Sequence, residues 1–144
     1  MAGGLKGLIG NTFTATGKTK ICSITGKATQ AFGAVCRMNK PQQKDLPIAL
    51  TISGVSPALS MFVHGEHDQI ISARLRRDGV WEEYETQLTL DLVKAGDVYV
   101  DVGANIGYYS LIASRCVGDA GKVISYEPDP ANFALLKKNV SHNA

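Results

Sequence analysis

The sequence predicts an α/β fold built on one parallel βαβ unit, and three features of its second half predict it. An apolar run at Val98–Val102 is typical of a strand in a buried parallel sheet. A glycine-containing turn at residues 103–107, called the glycine turn below, leads into a helical pattern that runs through Cys116. A second apolar run at 123–126 follows, and a right-handed crossover would place the two strands side by side.

The first 45 residues differ in charge from the rest. They hold seven Lys or Arg and one acid, a net +6, whereas the remaining residues hold eight Lys or Arg and twelve acids, a net −4. We predict a basic arm over 1–45, flexible or partly helical, because its first twenty residues have the composition of disordered chain. Its helical part is predicted from apolar residues at helical spacing: Ile21, Ile24, Ala28, Phe32 and Val35.

Residues 46–80, the lead-in segment, are predicted to form a small antiparallel β element. Leu50 and Ile52 alternate with polar residues, and further apolar runs occur at 61–63 and 70–71. Residues 65–68 are predicted to form a hairpin turn between the last two runs.

Residues 81–144 contain the βαβ unit and two flanking helices. The first helix is predicted over 82–94 and is ended by Gly96. The second begins at Pro130 with Asp129 as its N-cap, and Phe133, Leu136 and Val140 form its buried stripe.

The glycine turn and the end of the second strand are the candidate ligand site. Gly103 and Gly107 allow the backbone to turn sharply and to approach a ligand closely. The helix that follows presents free N–H groups. Glu127 lies at the end of the second strand, at the sheet edge where α/β folds bind ligands, and its carboxylate can accept two hydrogen bonds from a ribose diol.

The spacing of the turn argues against a dinucleotide. The dinucleotide fingerprint is G-x-G-x-x-G, whereas this turn has Asn105 at the middle position and reads G-x-N-x-G. No third glycine follows to bring the helix close to the strand. A nicotinamide-dependent oxidoreductase is therefore the less favoured of the nucleotide-binding alternatives.

Several motifs together resemble the FkbM family of S-adenosylmethionine-dependent methyltransferases. Residues 101–110 read DVGANIGYYS, residues 121–133 read GKVISYEPDPANF, and residues 81–86 and 95–97 read WEEYET and AGD. The resemblance covers roughly residues 60–143. It implies a truncated Rossmann-like class I methyltransferase fold, represented by its first βαβ unit, with S-adenosyl-L-methionine as cofactor.

The resemblance also implies roles for individual residues. Asp101 orients the turn and the methionine end of the cofactor, Glu127 holds the ribose and Pro128 borders the adenine. The other residues implied at the cofactor are Glu85, Thr86, Gly103, Asn105, Gly107 and Tyr108. The catalytic residue is unknown, because any general base is expected beyond residue 144 or from elsewhere. We accordingly expect this chain to be an incomplete fragment, inactive alone.

The implied reaction is methyl transfer to an oxygen, on a sugar or natural-product hydroxyl. The expected partner is a small-molecule or glycan acceptor, with no nucleic acid and no transmembrane segment. A metal is not expected, because the clustered His64, Glu66, His67 and Asp68 come from one hairpin, and such ligands rarely close a site without others from elsewhere. Three scattered cysteines without a C-x-x-C pattern favour a reducing, cytoplasmic setting. The alternatives are an inactive cofactor-binding fragment and an NAD-dependent oxidoreductase.

Overall fold

The structure is a computed structural model that describes the backbone of residues 11–15 and all of residues 46–144. Within these residues it contains a three-stranded sheet, a two-stranded sheet and four helices. In chain order, the elements are β1 (Asn11–Ala15), β2 (Ile48–Ala49), β3 (Ser60–Met61), α1 (Ile71–Asp78), α2 (Glu83–Leu92), β4 (Val98–Val102), α3 (Tyr108–Val117), β5 (Lys122–Glu127) and α4 (Pro130–Asn143).

The larger sheet has the strand order β1-β5-β4. β4 and β5 pair in parallel, with Val98 opposite Lys122 and Val102 opposite Tyr126. α3 connects them, which confirms the predicted βαβ unit. The close approach of α3 to β5 depends on Gly121, because a Cβ there would lie 2.4 Å from the Cβ of Val117.

β1 lies within the arm that we predicted to be flexible or partly helical. It pairs antiparallel with β5, with Asn11 opposite Glu127 and Ala15 opposite Val123. These five residues therefore depart from the prediction, because a composition-based estimate cannot see a pairing partner so far along the chain. Two of them are threonines, which favour strands. The predicted helix over 21–35 lies outside the described residues.

The two faces of the larger sheet differ in exposure. α3 packs over the face that carries Val123 and Ser125, which are 3% and 1% exposed. On the other face of β4, Val98, Val100 and Val102 are all more than half exposed. The apolar run predicted that β4 is covered on both faces. Within the described part of the chain, it is covered on one face only.

The lead-in segment is only partly β. Ile48 pairs with Met61 and Ala49 with Ser60, so the predicted antiparallel element is present. The strand predicted at residues 70–71 is wrong, because these residues begin α1. Asp68 causes the difference, since its carboxylate accepts hydrogen bonds from the backbone N–H groups of Ile70 and Ser72, at 3.1 and 3.0 Å, and so starts a helix.

Side chains of α4 hold the lead-in segment in place. The Asn139 side chain is fully buried and accepts a hydrogen bond from the Phe62 backbone N–H at 2.6 Å. Its amide nitrogen donates to the carbonyl oxygens of Phe62 and Ile106. Asn143 makes the same kind of two-way contact with the backbone of Ser60. The lead-in segment, the glycine turn and α4 therefore meet at Asn139.

The helices that flank the βαβ unit follow the prediction closely. α2 is slightly shorter than predicted, and α4 begins at Pro130 as expected, with the Asp129 carboxylate accepting from the N–H groups of Ala131 and Asn132. None of the helices described for this chain has the length and apolar character needed to cross a membrane.

Candidate cofactor site

The glycine turn is tied to the end of β5 through one carbonyl. The backbone N–H groups of Gly103 and Ala104 both donate to the oxygen of Tyr126, at 2.9 and 3.0 Å. Gly103 has a φ of 82°, a conformation that favours glycine, and a Cβ placed there would meet no atom within 4 Å. The outer side of the turn therefore faces open space that a ligand could occupy.

Gly107 lies in a different environment from Gly103. Its φ is 93°, and a Cβ there would lie 3.3 Å from Cγ of Leu136 in α4. It is buried, so its small size serves the packing of the turn against α4. The structure thus gives the two glycines separate functions, and only Gly103 borders the open side of the turn.

Glu127 joins the glycine turn to the start of α4. Its side chain is 5% exposed. One carboxylate oxygen accepts from the backbone N–H of Asn105 at 2.7 Å, and the other from that of Asp129 at 2.8 Å. Asn105 adopts a left-handed φ of 50°, and its side chain accepts from the N–H of Ile106 at 2.8 Å. Each carboxylate oxygen keeps a further lone pair, so Glu127 can still accept from a hydroxyl.

Asp101 lies at the end of the neighbouring strand and points under α3. Its carboxylate accepts from the hydroxyl of Ser110 at 2.6 Å, and that hydroxyl lies 2.7 Å from the hydroxyl of Ser125. Burial raises the pKa of Asp101, and the negative charge of Glu127 also raises it, whereas the hydrogen bonds from Ser110 lower it. The net result is a carboxylate with a raised pKa beside the candidate site.

Thr86 and Tyr108 connect α2 to α3. The Thr86 hydroxyl donates to the carbonyl of Trp81 at 2.7 Å and lies 3.0 Å from the hydroxyl of Tyr108. Both side chains are buried, and burial raises the pKa of Tyr108. Glu85, one residue earlier, is exposed. No described hydrogen bond joins these three residues to Gly103 or Glu127, so their roles at the cofactor remain predictions.

A pocket next to Glu127 was not predicted from the sequence. It has a volume of about 410 Å³ and lies between the lead-in segment and the start of α4, close to the exposed Pro128. The sequence indicated His64 and His67 only as part of a turn or a metal site, and no spacing reveals that Nε2 of His64 lies 2.7 Å from the side-chain oxygen of Asn132. Among residues 46–144, no group of three or more potential ligands could hold a metal ion. The pocket is lined by His64, His67, Asp68, Ile70, Ile71, Asn105, Asp129, Ala131 and Asn132.

Comparison with known proteins identifies the type of domain that contains this site. Residues 80–144 match the family model of the TRM5/TYW2 methyltransferase domain. No curated protein and no solved structure matches the chain. The chain therefore carries an S-adenosylmethionine-dependent methyltransferase domain, and its cofactor is S-adenosylmethionine. This confirms the type of enzyme and the cofactor predicted from the sequence, but it does not support the FkbM family.

Proposed function

We propose that Glu127 and the glycine turn bind S-adenosylmethionine and that the methyl group is transferred to an RNA acceptor. The observation that carries the cofactor part is the position of Glu127. Its carboxylate is held between the backbone N–H groups of Asn105 and Asp129, at the carboxyl end of β5. A carboxylate fixed there has lone pairs available for the two hydroxyl groups of a ribose.

The remaining parts of the cofactor are assigned by chemistry. The open side of Gly103 leaves room for the cofactor next to the turn. Asp101 is the carboxylate available to the ammonium group of the methionine part, because among residues 46–144 only Ser110 donates hydrogen bonds to its oxygens. The protein contributes mainly the alignment of cofactor and acceptor. S-adenosylmethionine held by these residues would supply a methyl group activated by its sulfonium, and S-adenosylhomocysteine and a proton released to solvent would be the other products.

Two observations favour RNA over the sugar or natural-product hydroxyl expected from the sequence. The TRM5/TYW2 match suggests methylation of the tRNA type. In addition, residues 1–45 carry a net charge of +6, and positive charge of this kind attracts phosphate backbones. This proposal replaces the expectation that no nucleic acid is a partner. Methylation of a glycan hydroxyl remains the second candidate because of the motifs shared with the FkbM family.

Calorimetry on the purified chain tests the cofactor part. S-adenosylmethionine and S-adenosylhomocysteine should both bind, because each carries the ribose and the amino-acid group. NAD should not bind, since the turn lacks the second glycine of the dinucleotide fingerprint. Binding of NAD without any response to the two sulfur nucleosides would contradict the proposal.

RNA binding at several salt concentrations tests the acceptor part. The chain should bind tRNA with an affinity that falls steeply as salt rises. Replacing Lys18, Lys20 and Lys27 by Gln should reduce the slope of log affinity against log salt by up to about 2–3, since each phosphate contact adds about 0.7–0.9. A matched variant with Lys94, Lys122 and Lys137 changed to Gln should keep the original slope. Binding of a labelled glycan and not of tRNA would favour the second candidate.

A further inference from the structure

A cluster of aromatic and basic side chains lies where α4 meets the lead-in segment, away from the end of α4 that contacts Glu127. The ammonium group of Lys138 lies 3.5 Å from the centre of the Phe62 ring. The His142 ring meets the same ring edge-on, with centroids 5.2 Å apart. Lys138 and His142 are exposed and four residues apart in α4, so they share one face of the helix. Phe62, Lys138 and His142 are called the α4 basic face below.

The hydrogen bonds around this face hold its groups in place. The backbone of Phe62 is bonded in both directions to the buried Asn139 side chain. The hydroxyl of Ser60 lies 2.9 Å from Nε2 of His142. When this hydroxyl donates, the neutral His142 ring carries its proton on Nδ1, which has no hydrogen-bond partner among residues 46–144. The face therefore presents two donors one helical turn apart, the ammonium group of Lys138 and Nδ1 of His142.

The charge around this face has one sign. α4 contains no Asp or Glu, and neither do residues 59–65. The arginines of α1 differ, because Arg74 and Arg77 both pair with Asp78. Within residues 46–144, no carboxylate forms an ion pair with Lys138. Cations without acid partners that lie beside aromatic rings complement a nucleic acid, which carries phosphates and bases.

We propose that the α4 basic face binds the phosphate backbone of the RNA acceptor and so orients it relative to the cofactor. Lys138 contacts the phosphate, and Phe62 is a positioning residue that holds Lys138. The inference rests on the proposed function, because an uncharged glycan acceptor brings no phosphate to this face. It adds that a surface outside the basic arm contributes to binding of the acceptor.

The position of Lys138 indicates which part of the acceptor it contacts. The backbone N–H of Asp129 donates to Glu127, and Lys138 follows Asp129 by nine residues of helix. At 1.5 Å per residue, this separates Lys138 from the candidate ribose site by about 14 Å along the axis of α4. That length corresponds to about four stacked nucleotides at about 3.4 Å each. The contacted phosphate therefore belongs to neighbouring nucleotides, and contacts of this kind position a nucleic acid without reading its sequence.

The test is tRNA binding by the full chain at several salt concentrations. Lys138→Gln should reduce the slope of log affinity against log salt by about 0.7–0.9, the value of one phosphate contact. Between about 50 and 200 mM salt, the wild-type affinity should accordingly fall about threefold more than that of the variant. Lys138→Arg keeps the positive charge and should keep the slope.

Lys137→Gln is the matched control for Lys138→Gln. Lys137 is also exposed and also lies beside a ring, 5.0 Å from the centre of Phe133, but that ring belongs to α4 itself. One residue along a helix turns the side chain by about 100°, so Lys137 does not share the face of Lys138 and His142. Lys137→Gln should leave the slope unchanged.

Two Phe62 variants test the positioning role. Phe62→Leu keeps an apolar side chain but removes the ring beneath Lys138, so tRNA should bind about two- to fivefold more weakly. Phe62→Tyr keeps the ring and should keep the wild-type affinity. S-adenosylhomocysteine should bind all these variants as it binds the wild type, because the α4 basic face lies away from Glu127. A matching loss of S-adenosylhomocysteine binding would show an effect on the fold and contradict the positioning role.

The outcomes separate this inference from the proposed function. If changing the arm lysines lowers the slope but Lys138→Gln does not, the α4 basic face is wrong and the RNA acceptor stands. If Lys137→Gln lowers the slope as much as Lys138→Gln, the effect comes from general charge, which also overturns the inference. If the wild-type chain binds S-adenosylhomocysteine but no tRNA, this inference and the RNA acceptor both fail.

Discussion

The ends of the two parallel strands carry two carboxylates that differ in what surrounds them. Glu127, at the end of β5, accepts backbone N–H groups from the glycine turn and from the start of α4. Asp101, near the end of β4, accepts from Ser110 and lies against the buried hydroxyl of Ser125. The first carboxylate shapes the site by holding two loops together. The second lies beneath α3 and holds a hydroxyl network.

The difference also appears in their electrostatics. The pKa of Asp101 is raised, mainly because burial disfavours its charge, and no positive group among residues 46–144 lies beside it to compensate. A ligand that brings a positive charge would supply the missing compensation. Two neighbouring acids at one sheet edge thus differ in role: Glu127 fixes the shape of the candidate site, and we propose that Asp101 responds to the charge of a ligand.

Removal of Glu127 should have the largest effect. Glu127→Ala leaves the N–H groups of Asn105 and Asp129 without acceptors, at a cost of about 1–3 kcal/mol each in unfolding free energy. Loss of the acceptor for the ribose should weaken S-adenosylhomocysteine binding by roughly 10- to 150-fold. Urea unfolding and calorimetry measure the two effects. Asp119→Ala, which removes an exposed acid, should change neither, and an unchanged stability in Glu127→Ala would contradict the role of Glu127 in joining the loops.

Asp101→Asn should have a smaller effect that depends on pH. Because the folded-state pKa of Asp101 is raised, its contribution to stability is fully present below its unfolded pKa of 3.8 and is lost as pH rises through the folded value. Binding of the ammonium group of S-adenosylhomocysteine should strengthen over the same pH window, as Asp101 becomes charged. The variant should lose both dependences and bind about three- to tenfold more weakly at neutral pH.

Stability and calorimetric affinity measured from about pH 4 to about pH 7 check this expectation. Asp119→Asn serves as the control, because that side chain is exposed. If wild type and Asp101→Asn show the same pH profile, Asp101 does not respond to the charge of the ligand.

Ser125→Ala should have the smallest effect of the three. It removes one hydroxyl from the network beneath α3 but leaves the hydrogen bond from Ser110 to Asp101 intact. We expect a loss of about 1 kcal/mol in unfolding free energy and little change in cofactor affinity. Ser114→Ala, which removes a hydroxyl that donates to the Leu111 carbonyl in the same helix, should cost less. A large drop in affinity would mean that Ser125 controls the charge of Asp101 and would weaken the contrast with Glu127.

The parallel unit could be predicted from the sequence because its signals are local. The strand Val98–Val102 is marked by an apolar run, and the start of α4 is marked by Asp129 followed directly by Pro130. The lead-in segment could not be predicted in the same way. The apolar pair at residues 70–71 looks like a strand, but the Asp68 carboxylate accepts from the backbone N–H groups of Ile70 and Ser72, and α1 begins at Ile71. β1 depends on a partner more than half the chain away, which no local pattern reveals.

The geometry of the candidate site followed from the sequence in part, for the same reason. Glu127 and Gly103 follow from strand ends and turn chemistry, and the structure places both at one edge. The packing of Gly107 against Leu136 and the contacts of Thr86 with Tyr108 depend on how helices meet. The pocket between His64 and Asn132 joins residues 68 positions apart. Spacing in sequence cannot show such a pair.

Asn139 and Asn143 affect how the chain can fold while it is being made. They supply the hydrogen bonds that hold Phe62 and Ser60, and they follow these residues by 77 and 83 positions. At about 5–20 residues per second, a ribosome takes roughly 4–16 s to reach them. During this time the β2–β3 pair lacks the side-chain hydrogen bonds that α4 supplies. The lead-in segment therefore gains its final contacts only when α4 is made, so codons that slow translation before α4 would prolong its exposure.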